Sequence, residues 1–99
     1  MKLPIRLRPG VATDLSTAAN WYNNERPGLG DEFVQAAYDA FDVIVERPLS
    51  FPVVRGNAHR ALLKRFPYAI YFRVEHETVV VLVVIHTARS ASVLRKRLK

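Results

Sequence analysis

The first residues of the chain alternate between apolar and polar side chains in the way that is typical of a half-buried strand. Leu3, Ile5 and Leu7 fall on one side of residues 2–8, and Lys or Arg residues flank them. A Pro-Gly dipeptide follows and is expected to end the strand, because neither residue favours continued extended structure. The chain is therefore predicted to open with one short strand.

The apolar spacing then changes to that of two amphipathic helices. From Val11 to about Asn24, apolar residues recur every three or four positions, and Asp14 lies near the start, where the helix dipole favours negative charge. A second helix is predicted from the acidic pair after "ERPGLG" to about Arg47, before a proline. So short a connection predicts an antiparallel helical hairpin that lies on a sheet.

After "RPLSFP" the apolar period becomes two, which predicts several strands in succession. They are a short "FPVV", then "HRALLKRF", "YAIYFRVE" and "TVVVLVVIH", with "EHET" short enough for a hairpin link. The apolar run "VVVLVVI" is typical of a central strand that is covered on both faces. Residues 90–99 are predicted to form a last short helix with Val93, Leu94 and Leu98 on one stripe.

The order of elements predicts an α+β fold of two layers in one domain spanning residues 1–99. It consists of an N-terminal strand, an antiparallel helical hairpin, a three- to four-stranded antiparallel sheet and a short C-terminal helix. A chain of 99 residues is long enough for one core and too short for two. The sheet face opposite the hairpin is expected to be open and to carry many of the basic residues.

Charge is distributed unevenly between the two halves of the chain. Residues 1–46 contain four Lys or Arg and seven Asp or Glu, a net charge of −3, whereas residues 47–99 contain eleven and two, a net charge of +9. Such asymmetry favours an anionic partner for the second half, either nucleic acid or an acidic protein segment. A well-solvated basic surface without a partner is the alternative.

Composition and motifs argue against several classes of protein. There is no cysteine, the three histidines are far apart, and no nucleophile elbow, phosphate loop or dinucleotide motif is present, so no metal and no cofactor are expected. The longest apolar run, of seven residues, is far below the roughly 20 that a membrane span requires. The N-terminal residues lack the apolar stretch of a signal peptide, so we expect a cytoplasmic protein.

Two groups of residues are candidates for function. In "HRALLKRFPYAIYFR", cations alternate with aromatic residues, a composition found on nucleic-acid surfaces, although Tyr68 and Phe72 are expected in the core because apolar residues alternate with them. At the end of the last strand, His86 could act as an acid or base, and Arg89 could hold an oxyanion or phosphate. The alternative is a histidine that caps the strand and an arginine that binds an acidic partner.

The chain resembles the RelE/ParE superfamily of toxins from bacterial type II toxin–antitoxin systems. The resemblance rests on "W-Y-x(4)-P-G-L-G-x-x-F", "F-P-Y-x-I-Y-F" and "H-x-x-R", which come in the family's order and spacing and cover nearly the whole chain. It implies a β-α-α-β-β-β core with a C-terminal helix. It also implies a hetero-oligomer with a small antitoxin whose C-terminal segment wraps the toxin and neutralises it.

The superfamily contains two activities, and departures from its patterns bear on the choice between them. RelE-like members cut mRNA in the ribosome, whereas ParE-like members poison DNA gyrase without a nuclease site. Where a RelE-like toxin often has a sheet arginine this chain has Ala69, and where its C-terminal tyrosine would lie this chain has Arg95. The resemblance therefore implies a ParE-like gyrase inhibitor that is not an enzyme.

Two sets of site residues follow from these alternatives. As an endoribonuclease, the chain would use His86 as acid or base, with Arg89 and Lys64 stabilising the phosphorane. A third alternative is a degenerate toxin that only binds its antitoxin and helps to repress its own operon. For a gyrase-directed toxin, the predicted surface for gyrase, DNA or antitoxin consists of Arg60, Arg65, Arg73, Arg89, Arg95, Lys96 and Arg97.

Overall fold

A computed structural model describes residues 2–89 and 91–99 of the chain. It contains one five-stranded sheet, a helical hairpin on one sheet face and a short C-terminal helix on the other. No helix of the described residues is long and apolar enough to cross a membrane. In chain order the elements are β1 (Ile5–Leu7), α1 (Val11–Glu25), α2 (Leu29–Glu46), a 3-10 turn (Pro48–Ser50), β2 (Val53–Arg55), β3 (Ala58–Leu62), β4 (Tyr68–Glu75), β5 (Thr78–His86) and α3 (Ala91–Arg97).

The two helices lie close to the predicted positions, and a tight turn joins them. Asn23 accepts hydrogen bonds through Oδ1 from the backbone amides of Gly28 (3.2 Å) and Gly30 (2.8 Å), and so it satisfies donors at the start of α2 that have no partner within the helix. Gly28 has a φ of +91°, a conformation that glycine adopts at little cost. The PGLG motif is thus explained by the geometry of this turn.

The sheet has the strand order β1-β5-β4-β3-β2. Strands β2 to β5 pair antiparallel, as predicted, and β1 pairs parallel with Val79, Val80 and Val81 of β5. The sheet therefore has five strands rather than three or four, because the N-terminal strand joins it at the β5 edge. The helical hairpin makes this parallel arrangement possible, since parallel neighbours need a long crossover connection.

Strand β5 is buried on both faces, as its apolar run predicts. All seven residues from Val79 to Ile85 are at most 7% exposed. A bulge at Leu82 changes the alternation, so that Val79, Val81 and Val84 contact the core under the helices while Leu82 and Val83 both lie on the opposite face.

The second sheet face is not open, which corrects the prediction made from the sequence. Apolar residues of β4 and β5, including Tyr71 and Leu82, form a second buried cluster, and Val93, Leu94 and Leu98 pack on it. The face is covered because α3 folds back across it after the turn that follows β5. Ser90, which the predicted C-terminal helix included, lies outside the described residues.

Candidate functional site

A polar pocket of about 230 Å³ lies beside the C-terminal end of β5. It exists because β1 pairs only as far as Val81, which leaves the following residues of β5 without a neighbouring strand on that edge. Helix α1 approaches this open edge from one sheet face and α3 from the other. The polar residues that line the pocket include Thr13, Asp14, Thr17, Tyr68, His86, Arg89 and Arg97.

Asp14 closes one side of this pocket. Its Oδ2 accepts a hydrogen bond of 3.1 Å from the backbone amide of Val84, at the unpaired edge of β5. Arg97 donates to both carboxylate oxygens at 2.8 Å, which is the bidentate geometry that suits a guanidinium and a carboxylate. This hydrogen bond and the bound carboxylate raise the pKa of Arg97. The Asp14 charge is therefore compensated within the protein.

His86 and Arg89 lie together in the pocket, as their spacing predicts. The His86 Nδ1 accepts a hydrogen bond of 3.0 Å from the backbone amide of Ala88, so in the neutral ring the proton is on Nε2. Arg89 is exposed, and its guanidinium has no hydrogen-bond or ion-pair partner among the described residues. The pair thus combines a histidine with an uncompensated positive charge.

Tyr68 is a third member of this site, and the sequence reasoning assigned it to the core instead. Its ring meets that of His86 edge-on at 5.2 Å between centroids, and its other side packs against Phe33 at 4.8 Å. Burial raises the pKa of Tyr68, and the positive charge of Arg89 partly opposes that increase. Tyr68 therefore belongs to both the core and the pocket.

Lys64 and Arg65 lie on the loop between β3 and β4, at a different depression. Arg65 forms an ion pair of 2.8 Å with Glu32 and lies over the ring of Phe66. The predicted ribonuclease set of Lys64, His86 and Arg89 is thus divided between two places, because only the latter two line the pocket at the end of β5.

An apolar groove of about 430 Å³ separates α2 from β3, and Lys64 and Arg65 lie at its rim. Its lining includes small residues of α2 and exposed larger ones, among them Val43 at 45% and Leu62 at 58% exposure. Exposed apolar surface of this kind is found where a partner chain binds.

The remaining predicted cations are distributed over the second sheet face and α3. Arg60 and Arg73 lie on that face on adjacent strands, and Arg73 forms an ion pair with Glu75. On α3, Arg95 and Lys96 are exposed, whereas Arg97 is held by Asp14. The cationic residues therefore do not converge on one point. The described residues contain no group of three or more His, Asp or Glu placed to hold a metal ion.

Comparison with known proteins finds likeness in structure only. No protein-family model and no curated protein sequence matches the chain. A chain of the chromosomal ParDE TA system from P. aeruginosa superposes with a TM-score of 0.78 at 16% identity, covering 86% of this chain and 96% of that one. A chain of the toxin-antitoxin complex RelBE2 from Mycobacterium tuberculosis superposes with a TM-score of 0.62 at 20% identity, covering 87% and 99%.

These two superpositions span the helical hairpin and most of the sheet, since they cover nearly nine-tenths of this chain. At such identities a superposition establishes the fold. The fold implied by the three sequence motifs is confirmed, including the C-terminal helix. The chain has the α+β fold of the RelE/ParE toxins, and of these two structures it superposes better on the ParDE chain.

Proposed function

We propose that the protein is the toxin of a type II toxin–antitoxin pair, which inhibits DNA gyrase by binding and is neutralised by a cognate antitoxin. The observation that carries this proposal is the superposition on the ParDE chain over nearly the whole of both chains. The sequence motifs support it, because "PGLG" and "FPYAIYF" favour a ParE-like toxin. The pair would act in the cytoplasm.

The distribution of cations supports a binding function rather than a catalytic one. Arg60, Arg89 and Arg95 lie in three separate regions, whereas a phosphoryl-transfer site needs charges that converge on one phosphorus atom. Dispersed positive charge is suited to steering a protein towards a large anionic surface such as a gyrase–DNA complex.

The antitoxin would bind through an acidic and partly apolar segment. The apolar groove between α2 and β3 would take its apolar side chains, and the net charge of +9 on residues 47–99 would attract its acidic ones. Expression of the chain without this partner is expected to arrest growth. If growth continues, the degenerate toxin that only binds its antitoxin becomes the better description.

The direct test is a supercoiling assay with purified gyrase, plasmid DNA and increasing amounts of this protein freed from antitoxin. We expect loss of supercoiling together with an accumulation of cleaved DNA. Unaffected gyrase in the presence of a folded protein would exclude the gyrase proposal.

Arg89→Glu is expected to abolish inhibition while leaving the fold intact, because Arg89 is exposed and its side chain contacts no described carboxylate. The far-UV circular dichroism spectrum and the unfolding midpoint should match those of the unmodified protein. Arg47→Glu, at an exposed arginine at the end of α2, is the matched control and should retain inhibition. A fully inhibitory Arg89→Glu protein would show that Arg89 does not contribute to the gyrase-binding surface.

A second candidate function is ribosome-dependent mRNA cleavage, and the proximity of Tyr68, His86 and Arg89 favours it. These side chains offer a hydroxyl, an acid or base and a cation within one pocket. His86→Ala should then lower the rate of cleavage by about 10²–10⁴-fold without weakening antitoxin binding. Cleavage by His86→Ala at the unmodified rate would exclude this role for His86.

A further inference from the structure

We propose that the pocket at the end of β5 is a phosphate-binding site, formed by the hydroxyls of Thr13, Thr17 and Tyr68 together with His86 and Arg89. The inference goes beyond gyrase inhibition, which requires no such site, and it does not depend on mRNA cleavage, because a phosphate group can bind without reacting. The following observations support it.

The pocket is rich in hydrogen-bond donors that are not already used. The hydroxyls of Thr13, Thr17 and Tyr68 form no hydrogen bond with the described residues. The His86 ring can donate through Nε2, since Nδ1 accepts from the Ala88 amide. Hydroxyls, imidazole N–H groups and guanidinium groups are the side-chain donors that bind phosphate oxygens in proteins.

The charge balance of the pocket also favours an anion. The carboxylate of Asp14 is compensated by Arg97 and by the amide of Val84, so it offers little repulsion. Arg89 then leaves one net positive charge at the opposite side, and its effect on the pKa of Tyr68 places that charge within electrostatic reach of the phenol. A guanidinium can bind a phosphate through two parallel hydrogen bonds.

The size of the pocket limits what can enter. A volume of about 230 Å³ is below the roughly 300–1,000 Å³ of pockets that enclose drug-sized ligands. It suits one phosphate group with part of a sugar, while any attached bases would remain outside. The shared chemistry is therefore a phosphate group, either free or within an RNA or DNA strand.

The experiment is an NMR titration of the ¹⁵N-labelled protein, freed from antitoxin, with inorganic phosphate, a single-stranded RNA oligonucleotide and a duplex DNA of equal length in separate arms. We expect saturable shifts of the amides of Thr13, Thr17, His86 and Arg89 in at least one arm. The arm with the tightest binding identifies the source of the phosphate group. If these amides do not shift in any arm, the proposal is wrong.

Two variants separate the pocket from general charge attraction. Arg89→Gln should weaken binding by about tenfold or more, because it removes a charge-assisted hydrogen bond. Thr17→Val, an isosteric change at an exposed position of α1, should weaken it less but measurably. Arg47→Gln removes an equal charge outside the pocket and should change the affinity by less than twofold. Equal losses for Arg89→Gln and Arg47→Gln would overturn the proposal, whatever the gyrase assay shows.

Discussion

Asn23 and Gly30 determine how closely the two helices approach at their connection. A Cβ atom added at Gly30 would lie 2.7 Å from the Asn23 side chain and closer still to the Ala19 carbonyl oxygen of α1. Backbone cannot move aside as a flexible side-chain end does, so only glycine fits here. Two of the four residues of PGLG are therefore explained by the helical hairpin and not by a functional role.

Gly30→Ala is expected to lower the free energy of unfolding by about 1–3 kcal/mol or more, because the added methyl group forces α1 and α2 apart. Urea unfolding monitored by circular dichroism would measure the loss. Gly28→Asn is a suitable control, since nothing lies within 4 Å of a Cβ there and asparagine tolerates the left-handed conformation. If the two variants lost equal stability, the close approach at Gly30 would not be the cause.

Between elements, Glu32 links the helical hairpin to the loop before β4. Its carboxylate lies 2.8 Å from Arg65 of that loop and 3.7 Å from Arg26 at the end of α1. The hydrogen bond from Arg65 lowers the pKa of Glu32, and the charges of Arg65 and Arg26 contribute in the same direction. Protonation of Glu32 should therefore loosen the contact between the hairpin and the loop.

The stabilisation from Glu32 is expected to depend on pH in a defined direction. Because the pKa in the folded protein lies below the unfolded value near 4.5, the stabilisation is complete above 4.5 and is lost as the pH falls through the folded pKa. Urea midpoints of the unmodified protein and Glu32→Gln should thus differ most at neutral pH and converge in acid. Arg65→Gln should remove most of this pH-dependent difference. A difference that stays constant with pH would contradict the assignment.

Across the whole molecule, the C-terminal helix is fastened to the N-terminal part of the chain. Arg97 of α3 binds Asp14 of α1, and Arg8 donates to the carbonyl oxygens of Arg97 (3.0 Å) and Lys99 (2.7 Å). These contacts hold α3 over the apolar residues of the second sheet face. They also form one wall of the pocket at the end of β5.

Arg97→Ala is expected to destabilise the protein by about 1–2 kcal/mol, less than the ~3–5 kcal/mol for a fully buried pair, because the Arg97 side chain is 32% exposed. Hydrogen exchange should increase in α3 before it increases in the sheet. Arg95→Ala, on the exposed side of the same helix, should change stability by less than about 0.5 kcal/mol. Equal effects of the two changes would show that the contact with Asp14 contributes nothing.

Much of the site could be anticipated from the sequence, but its membership could not. His86 and Arg89 were identified from their place at the end of an apolar run. Counting back from the Glu75–Thr78 end of the hairpin pairs Tyr68 with Ile85, yet in the structure Tyr68 pairs with His86. The bulge at Leu82 moves the register by one residue and turns the His86 side chain to the face that Tyr68 occupies.

The sequence by itself determined the order of the elements, the hairpin of two helices, the buried central strand and the uneven distribution of charge. These follow from local periodicity, turn residues and composition, which act over a few neighbouring positions. The tertiary structure alone decided that β1 completes the sheet, that α3 covers its second face and that Asp14, Tyr68, His86 and Arg89 share one pocket. Such outcomes depend on contacts between residues as far as 83 positions apart, and on a bulge that no local pattern announces.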